Sequence, residues 1–243
     1  FMLYIFFMRI TKYYSPNFNV KPRSIKSITF IIIHYTGMQS ERESLRKLTS
    51  PNSKVSCHYF IKRNGEILNL VNDKNIAWHA GKSKWGGVKN LNSNSIGIEL
   101  ANKGHRFGYQ TFSKPQITKL TQLCKNLKKK YKIKNKFILG HSDIAPLRKI
   151  DPGEKFPWKY LSLQGVGYYP KKLLKKKNSK RNINLNFFFK NLYKIGYRYL
   201  KSKFKKKIIM NFQRKYRQNR VNGVLDLQTL EISEILAKRS NKP

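Results

Sequence analysis

The sequence predicts an α/β fold, a mixed central β-sheet flanked by helices, with a small C-terminal helical domain behind it. Three observations point there. Short β-branched apolar runs recur up to about residue 143, helical periodicity alternates with them, and the texture becomes basic and helical after Pro170.

The elements follow in order. SITFIIIHYT (27–36) is a strand, with His34 near its C-terminal end. SERESLRKLTS (40–50) has the pattern of a short amphipathic helix. HYFIKRNGEILNLV (58–71) reads as a hairpin, because two alternating apolar runs flank Asn64-Gly65, a strong turn signal. SIGIELAN (95–102) is a buried strand whose unusual member is Glu99. In 114–133 the residues Ile117, Leu120, Leu123, Cys124, Leu127 and Tyr131 recur at helical spacing opposite a lysine face. FILGHSD (137–143) is a strand carried to His141, and ligands at strand ends suit such folds. KKLLKKKNSKRN (171–182) has the composition of a linker, and two or three short helices then surround a Val-Asn-Gly turn at 221–223. The expected organisation is an N-terminal extension (1–14), a catalytic domain (15–170), a basic linker (171–183) and a helical domain (184–243).

Composition sets outer bounds. In 243 residues, 52 Lys+Arg stand against 11 Asp+Glu, a net charge of +41. Such a field attracts polyanions of any kind, so it names no partner, and compositional drift towards lysine explains it equally well. No recognition-helix, RNA-module or zinc-finger pattern accompanies it, so no specific nucleic acid is expected. Cys57 and Cys124 have no CxxC neighbour, which makes them small core residues rather than metal ligands or a disulfide framework. The opening FMLYIFFM is too short to span a bilayer and lacks the flanks of a signal peptide, which makes Met8 a plausible start and favours the cytoplasm. A monomer is the expected oligomeric state.

The chemistry sits in two segments, IIIHYTG (31–37) and GHSDIAPLRKIDPGEKFPW (140–158). His34 and His141 each follow an apolar strand, and Asp151 lies in a Pro-Gly turn. Two neutral imidazoles and a carboxylate suit Zn²⁺ with an open fourth position, the arrangement of a metal-dependent hydrolase. A lone histidine at a strand end is more often a hydrogen-bonded structural residue, so the aspartate gives the set its weight.

IIIHYTG, SCHYFIKRNGEI, AWHAG, NSNSIGIELAN and GHSDIAPLRKIDPGEKFPW occur in order with appropriate gaps. Over about residues 15–165 the chain resembles the zinc N-acetylmuramoyl-L-alanine amidases of the AmpD/AmiD type, in the superfamily of peptidoglycan-recognition proteins. The resemblance implies zinc on His34, His141 and Asp151. It implies Glu99 as the proton-handling carboxylate, with a raised pKa in its apolar strand, and Lys149 as the residue that steadies the oxyanion. His79 falls in a substrate-pocket or supporting position, and His58 in a structural one. Trp78 and Trp85 are candidates to wall the cleft, with core packing equally reasonable, and Asn94 and Arg148 are candidate substrate contacts. His105 carries less weight. The implied reaction is hydrolysis of the amide between N-acetylmuramic acid and L-alanine in peptidoglycan or muropeptides, for bacterial cell-wall recycling or remodelling. A non-catalytic peptidoglycan-recognition module is the alternative, and such modules typically lack a metal ligand. The tail, NFQRKYRQNRVNGVLDLQTL (211–230), resembles the small peptidoglycan-binding domain attached to some of these amidases, which favours the cell envelope and leaves the compartment open.

Overall fold

The computed structural model describes residues 8–170 and 182–240. Most of the expected linker at 171–183 and the first seven residues of the expected extension lie outside them. The described chain runs β1 (Ile10–Lys12), β2 (Phe18–Asn19), β3 (Phe30–Tyr35), α1 (Glu41–Thr49), β4 (Tyr59–Ile61), β5 (Ile67–Asn69), β6 (Ile76–Ala77), β7 (Lys84–Trp85), β8 (Val88–Lys89) and β9 (Ser95–Leu100). It continues with α2 (Lys114–Tyr131), β10 (Ile138–Gly140), α3 (His141–Ile144), α4 (Trp158–Leu163), α5 (Leu185–Ile195), α6 (Lys205–Tyr216) and α7 (Leu227–Ser240). Among the described residues five strands of the first unit form a sheet in the order β1-β5-β4-β9-β3. Parallel pairs (β1 with β5, β4 with β9, β3 with β9) and an antiparallel one (β4 with β5) make it mixed, as expected.

Contacts divide the chain into two compact units, one of residues up to His79 with Asn92–Lys134, the other of Ala80–Leu91 with residues from Asn135 onward. In the first unit, β3 and β9 are the long central strands. Ile31, Ile32, Ile33, Ile96 and Ile98 are fully buried, which explains why both read as continuous β-branched runs. The β4–β5 hairpin closes through Lys62 and Glu66, with Gly65 at φ +92 supplying the conformation that Asn-Gly announces. Ser40 caps α1 by accepting from the Glu43 amide at 3.1 Å, and Ser113 caps α2 by accepting from Gln116 at 3.3 Å. The buried Gln116 amide of α2 also donates to Ile61 O at 3.0 Å and Ala101 O at 3.1 Å, pinning the ends of β4 and β9. Leu48, Cys57, Phe60, Leu68, Leu70 and Ala101 form a core cluster. Both cysteines are free and buried.

The second unit is built on aromatics. Phe188, Tyr197, Phe212 and Tyr216 pack between α5, α6 and α7, with the Phe188 and Phe212 rings edge to face at 5.3 Å. Gln213, fully buried, accepts from the amides of Asn222 and Gly223 and donates to Val224 O, so it holds the Val-Asn-Gly turn. Asp226 caps α7 by accepting from Thr229. The Phe-Gln-Arg and Val-Asn-Gly-x-x-Asp-x-x-Thr pattern is thus the internal framework of three helices.

One expectation is corrected. His141 does not end a strand; β10 stops at Gly140 and His141 opens α3. The Asp143 carboxylate accepts from the Gly140 amide at 2.8 Å, which turns the chain into a helix one residue early. The short strands β1, β2, β6, β7 and β8 and the helix α4 are additions the sequence reading lacks. No helix among the described residues is long and apolar enough to cross a membrane.

Candidate metal centre

In the first unit, His34 sits one residue before the end of β3 and is 1% exposed. Its register partner across the parallel pair is Glu99, so the two side chains leave the sheet on one face. His34 Nε2 lies 3.0 Å from His79 Nδ1, and His79 Nε2 lies 3.1 Å from Ser95 Oγ. With His34 protonated on Nε2, it donates to His79 and His79 donates to Ser95. His79 is buried directly against β9, where a Cβ on Gly97 would come within 2.3 Å of its ring. His79 thus lies between His34 and Ser95.

His58 accepts from the Gly97 amide on Nδ1 at 3.0 Å, while its Nε2 faces Asn75 O at 3.2 Å and Arg23 Nη2 at 2.9 Å. Burial first, and the Arg23 charge second, push its pKa down to about 3. It is a neutral structural histidine. The Cys57 thiol is pushed well above its ordinary range, by burial first and by neighbouring Glu99 second, and stays protonated.

The second unit supplies the other two candidates. His141 Nε2 faces Ala80 O at 3.1 Å and Arg148 Nη2 at 3.4 Å, and Nδ1 lies 3.1 Å from Asp151 Oδ2. The Ser142 amide donates to Asp151 O at 2.9 Å, joining the turn of His141 to the aspartate. Gly140 is required at this junction, since a Cβ there would approach Pro152 Cδ to 2.7 Å.

His34 in the first unit and His141 and Asp151 in the second each offer one ligand atom, the latter two atoms 3.1 Å apart. Ligands about 2.0–2.2 Å from a tetrahedral ion stand roughly 3.4 Å apart, so the spacing of His141 Nδ1 and Asp151 Oδ2 suits one zinc. The Nε2 atoms of His34 and His141 are contacted by a histidine and a carbonyl, the support that metal-binding histidines need.

The remaining candidates are placed as follows. Lys149 is half-buried and its carbonyl accepts from Asn211 Nδ2 at 3.1 Å. Arg148 is exposed and donates to Ala80 O at 2.8 Å and Lys82 O at 3.1 Å. Trp78 is half-buried, its indole donating to Asn19 Oδ1 at 2.6 Å. Trp85 is buried, edge to face with Tyr197 at 4.8 Å, and a Cβ on Gly196 would meet it at 2.5 Å. Asn94 donates to Ser27 O at 3.2 Å. The sequence reading missed Ser95 and the Ala80 carbonyl. Ser95 stood inside the quoted NSNSIGIE motif, whereas a backbone acceptor leaves no signal in residue types.

Comparison with known proteins agrees with this geometry. Residues 24–154 match the family Amidase_2, N-acetylmuramoyl-L-alanine amidase. N-acetylmuramoyl-L-alanine amidase AmiD of Escherichia coli K12 is 34% identical over 232 residues, covering 87% of this chain and 83% of that protein. The 1,6-anhydro-N-acetylmuramyl-L-alanine amidase AmpD of Haemophilus influenzae is 35% identical over 167 residues, 61% of this chain and 88% of its own length. The solved structure of E. coli AmiD in complex with anhydro-N-acetylmuramic acid-L-Ala-D-γ-Glu-L-Lys superposes with a TM-score of 0.80 at 33% identity, covering 88% of this chain and 90% of that one. With its sheet, its histidine–aspartate cluster and these relatives in agreement, the chain belongs to the N-acetylmuramoyl-L-alanine amidases of the AmpD/AmiD type, enzymes that hydrolyse the amide between N-acetylmuramic acid and L-alanine.

Proposed function

We propose that the enzyme is a zinc amidase acting on muropeptides, the anhydro forms included, in cell-wall recycling or remodelling. The observation that carries the zinc assignment is His141 Nδ1 at 3.1 Å from Asp151 Oδ2, a ligand pair that His34 of the IIIHYTG motif completes, with both imidazoles contacted on their far nitrogens. A zinc ion held by these residues would polarise the scissile carbonyl and lower the pKa of a bound water. The substrate class rests on what the AmiD complex and the AmpD relative are named for.

The chain's own residues divide the remaining work. Glu99, beside His34 in the sheet, takes a proton from the attacking water and returns it to the leaving L-alanine amine. Lys149 places a positive charge near the oxygen that becomes negative in the tetrahedral intermediate. Arg148 holds the 80–82 backbone that orients His141. Residues 184–243, on their motif, are a peptidoglycan-binding-like module that concentrates the enzyme on its polymer.

The test is release of stem peptide from defined muropeptides, read by mass spectrometry, with and without chelator and with zinc restored. Release that is lost with chelator and regained with zinc supports the assignment. A zinc-loaded, folded protein that binds muropeptide without cleaving it overturns it in favour of a recognition module.

A further inference from the structure

Four polar side chains at the C-terminal end of α6 bond outside the three-helix module. Asn211, Arg214, Lys215 and Gln218 stand at i, i+3, i+4 and i+7, one continuous face with the last member just past the helix end. Each reaches the segment that carries two of the metal ligands. Asn211 Nδ2 donates to Pro146 O at 2.6 Å and Lys149 O at 3.1 Å. Lys215 Nζ pairs with Asp143 Oδ2 at 2.5 Å, and its ammonium lies 4.2 Å from the centre of the Trp158 ring. Arg214 pairs with Glu154 at 3.3 Å, and Gln218 donates to Glu154 O and Phe156 O.

Asp143 is the hub. It lies in the same helical turn as His141, is 1% exposed, and accepts on one oxygen from Gly140 N and Lys215 and on the other from Tyr197 OH at 2.5 Å. A wall-binding module has no need of a buried lysine, 3% exposed, directed at a neighbouring carboxylate. Burying such a pair is costly, and a lysine lost from it leaves an uncompensated charge beside the ligand turn.

We propose that this face of α6, with Tyr197, is a positioning device for the metal centre, holding the 140–156 segment so that His141 and Asp151 present their ligand atoms together. Asn211, Lys215 and Tyr197 are positioning residues. The C-terminal helices are then part of the hydrolytic apparatus as well as any wall anchor. The inference rests on the zinc assignment above.

The test compares full-length Lys215→Met, Asn211→Ala and Tyr197→Phe with Asn191→Ala, a control in the same module. Among the described residues Asn191 bonds within the helices, through Ser233 Oγ at 3.0 Å. Zinc affinity is measured by chelator competition, the visible spectrum of the cobalt-substituted protein is recorded, and Tm is measured for each. The expected result is zinc affinity weakened about 10-fold or more in Lys215→Met and Asn211→Ala, with a changed cobalt spectrum. Tyr197→Phe keeps its ring on Trp85 and moves in the same direction by less. Asn191→Ala lowers Tm and leaves affinity and spectrum unchanged. If Lys215→Met does not fold, Asn211→Ala and Tyr197→Phe decide. Folded variants with wild-type zinc affinity and spectrum overturn the inference alone; a wild-type protein that binds no zinc overturns the zinc assignment and this inference with it.

Discussion

Glu99 and His34 sit as register partners on one face of the sheet, and that adjacency makes their variants separable. Glu99→Gln keeps the shape and removes the base, so turnover falls by about 100-fold or more while zinc stays bound. Near wild-type turnover in that variant refutes the role. His34→Ala and Asp151→Ala each remove a proposed ligand, and metal analysis of the purified variants is expected to show little zinc; full occupancy in both refutes the ligand set. His58 makes a prediction of another kind. Its folded pKa, about 3, lies below the unfolded value near 6.5, so the unfolded chain binds the extra proton between those limits. Its contribution is complete above about pH 6.5 and falls by roughly 1.4 kcal/mol per pH unit as the pH drops towards 3. His58→Asn retains an acceptor for the Gly97 amide and does not titrate. Urea denaturation with chelator present, between about pH 6.5 and 4, is expected to show a shallower loss for the variant; parallel curves count against the assignment.

At the scale of elements, β9 does two jobs, and Gly97 is where they meet. Its alternate residues build the core, while the bare Cα leaves room for the His79 ring that orients His34. Gly97→Ala is expected to displace that ring, costing about 1–3 kcal/mol of stability and about 10-fold or more in zinc affinity; unaltered zinc binding by chelator competition refutes the support role. The long elements were readable in the sequence because their signals are local. β3 and β9 are β-branched runs, α2 is periodic, Asn64-Gly65 demands its turn, and Ser40 and Ser113 cap helices. Two- and three-residue strands such as β2 and β6 carry no such signal, since their pairing is set by the rest of the fold. His141 was legible as a ligand candidate but not as the start of a helix, because the cause is the Asp143 side chain folding back on Gly140. The buried Asp143–Lys215 pair was illegible for the same reason: one lysine among many, 72 residues away.

For the molecule as a whole, the net charge of +41 has a thermodynamic sign. Like charges repel more in the compact state than in the expanded one, so salt that screens them stabilises the fold. Raising sodium chloride from about 20 mM to 500 mM shrinks the screening length from roughly 20 Å to 4 Å, and Tm should rise. A fall in Tm would mean that ion pairs such as Arg217–Asp226 outweigh the repulsion. The three tryptophans are unevenly distributed. Trp78 is half-buried in the first unit, whereas Trp85 and Trp158 are buried in the second, one against Tyr197 and the other under the Lys215 ammonium. Intrinsic fluorescence is therefore chiefly an optical reporter of the second unit, while circular dichroism averages over both. If the two units melt separately, the emission transition and the dichroism transition will not coincide, and no labelling is needed to see it.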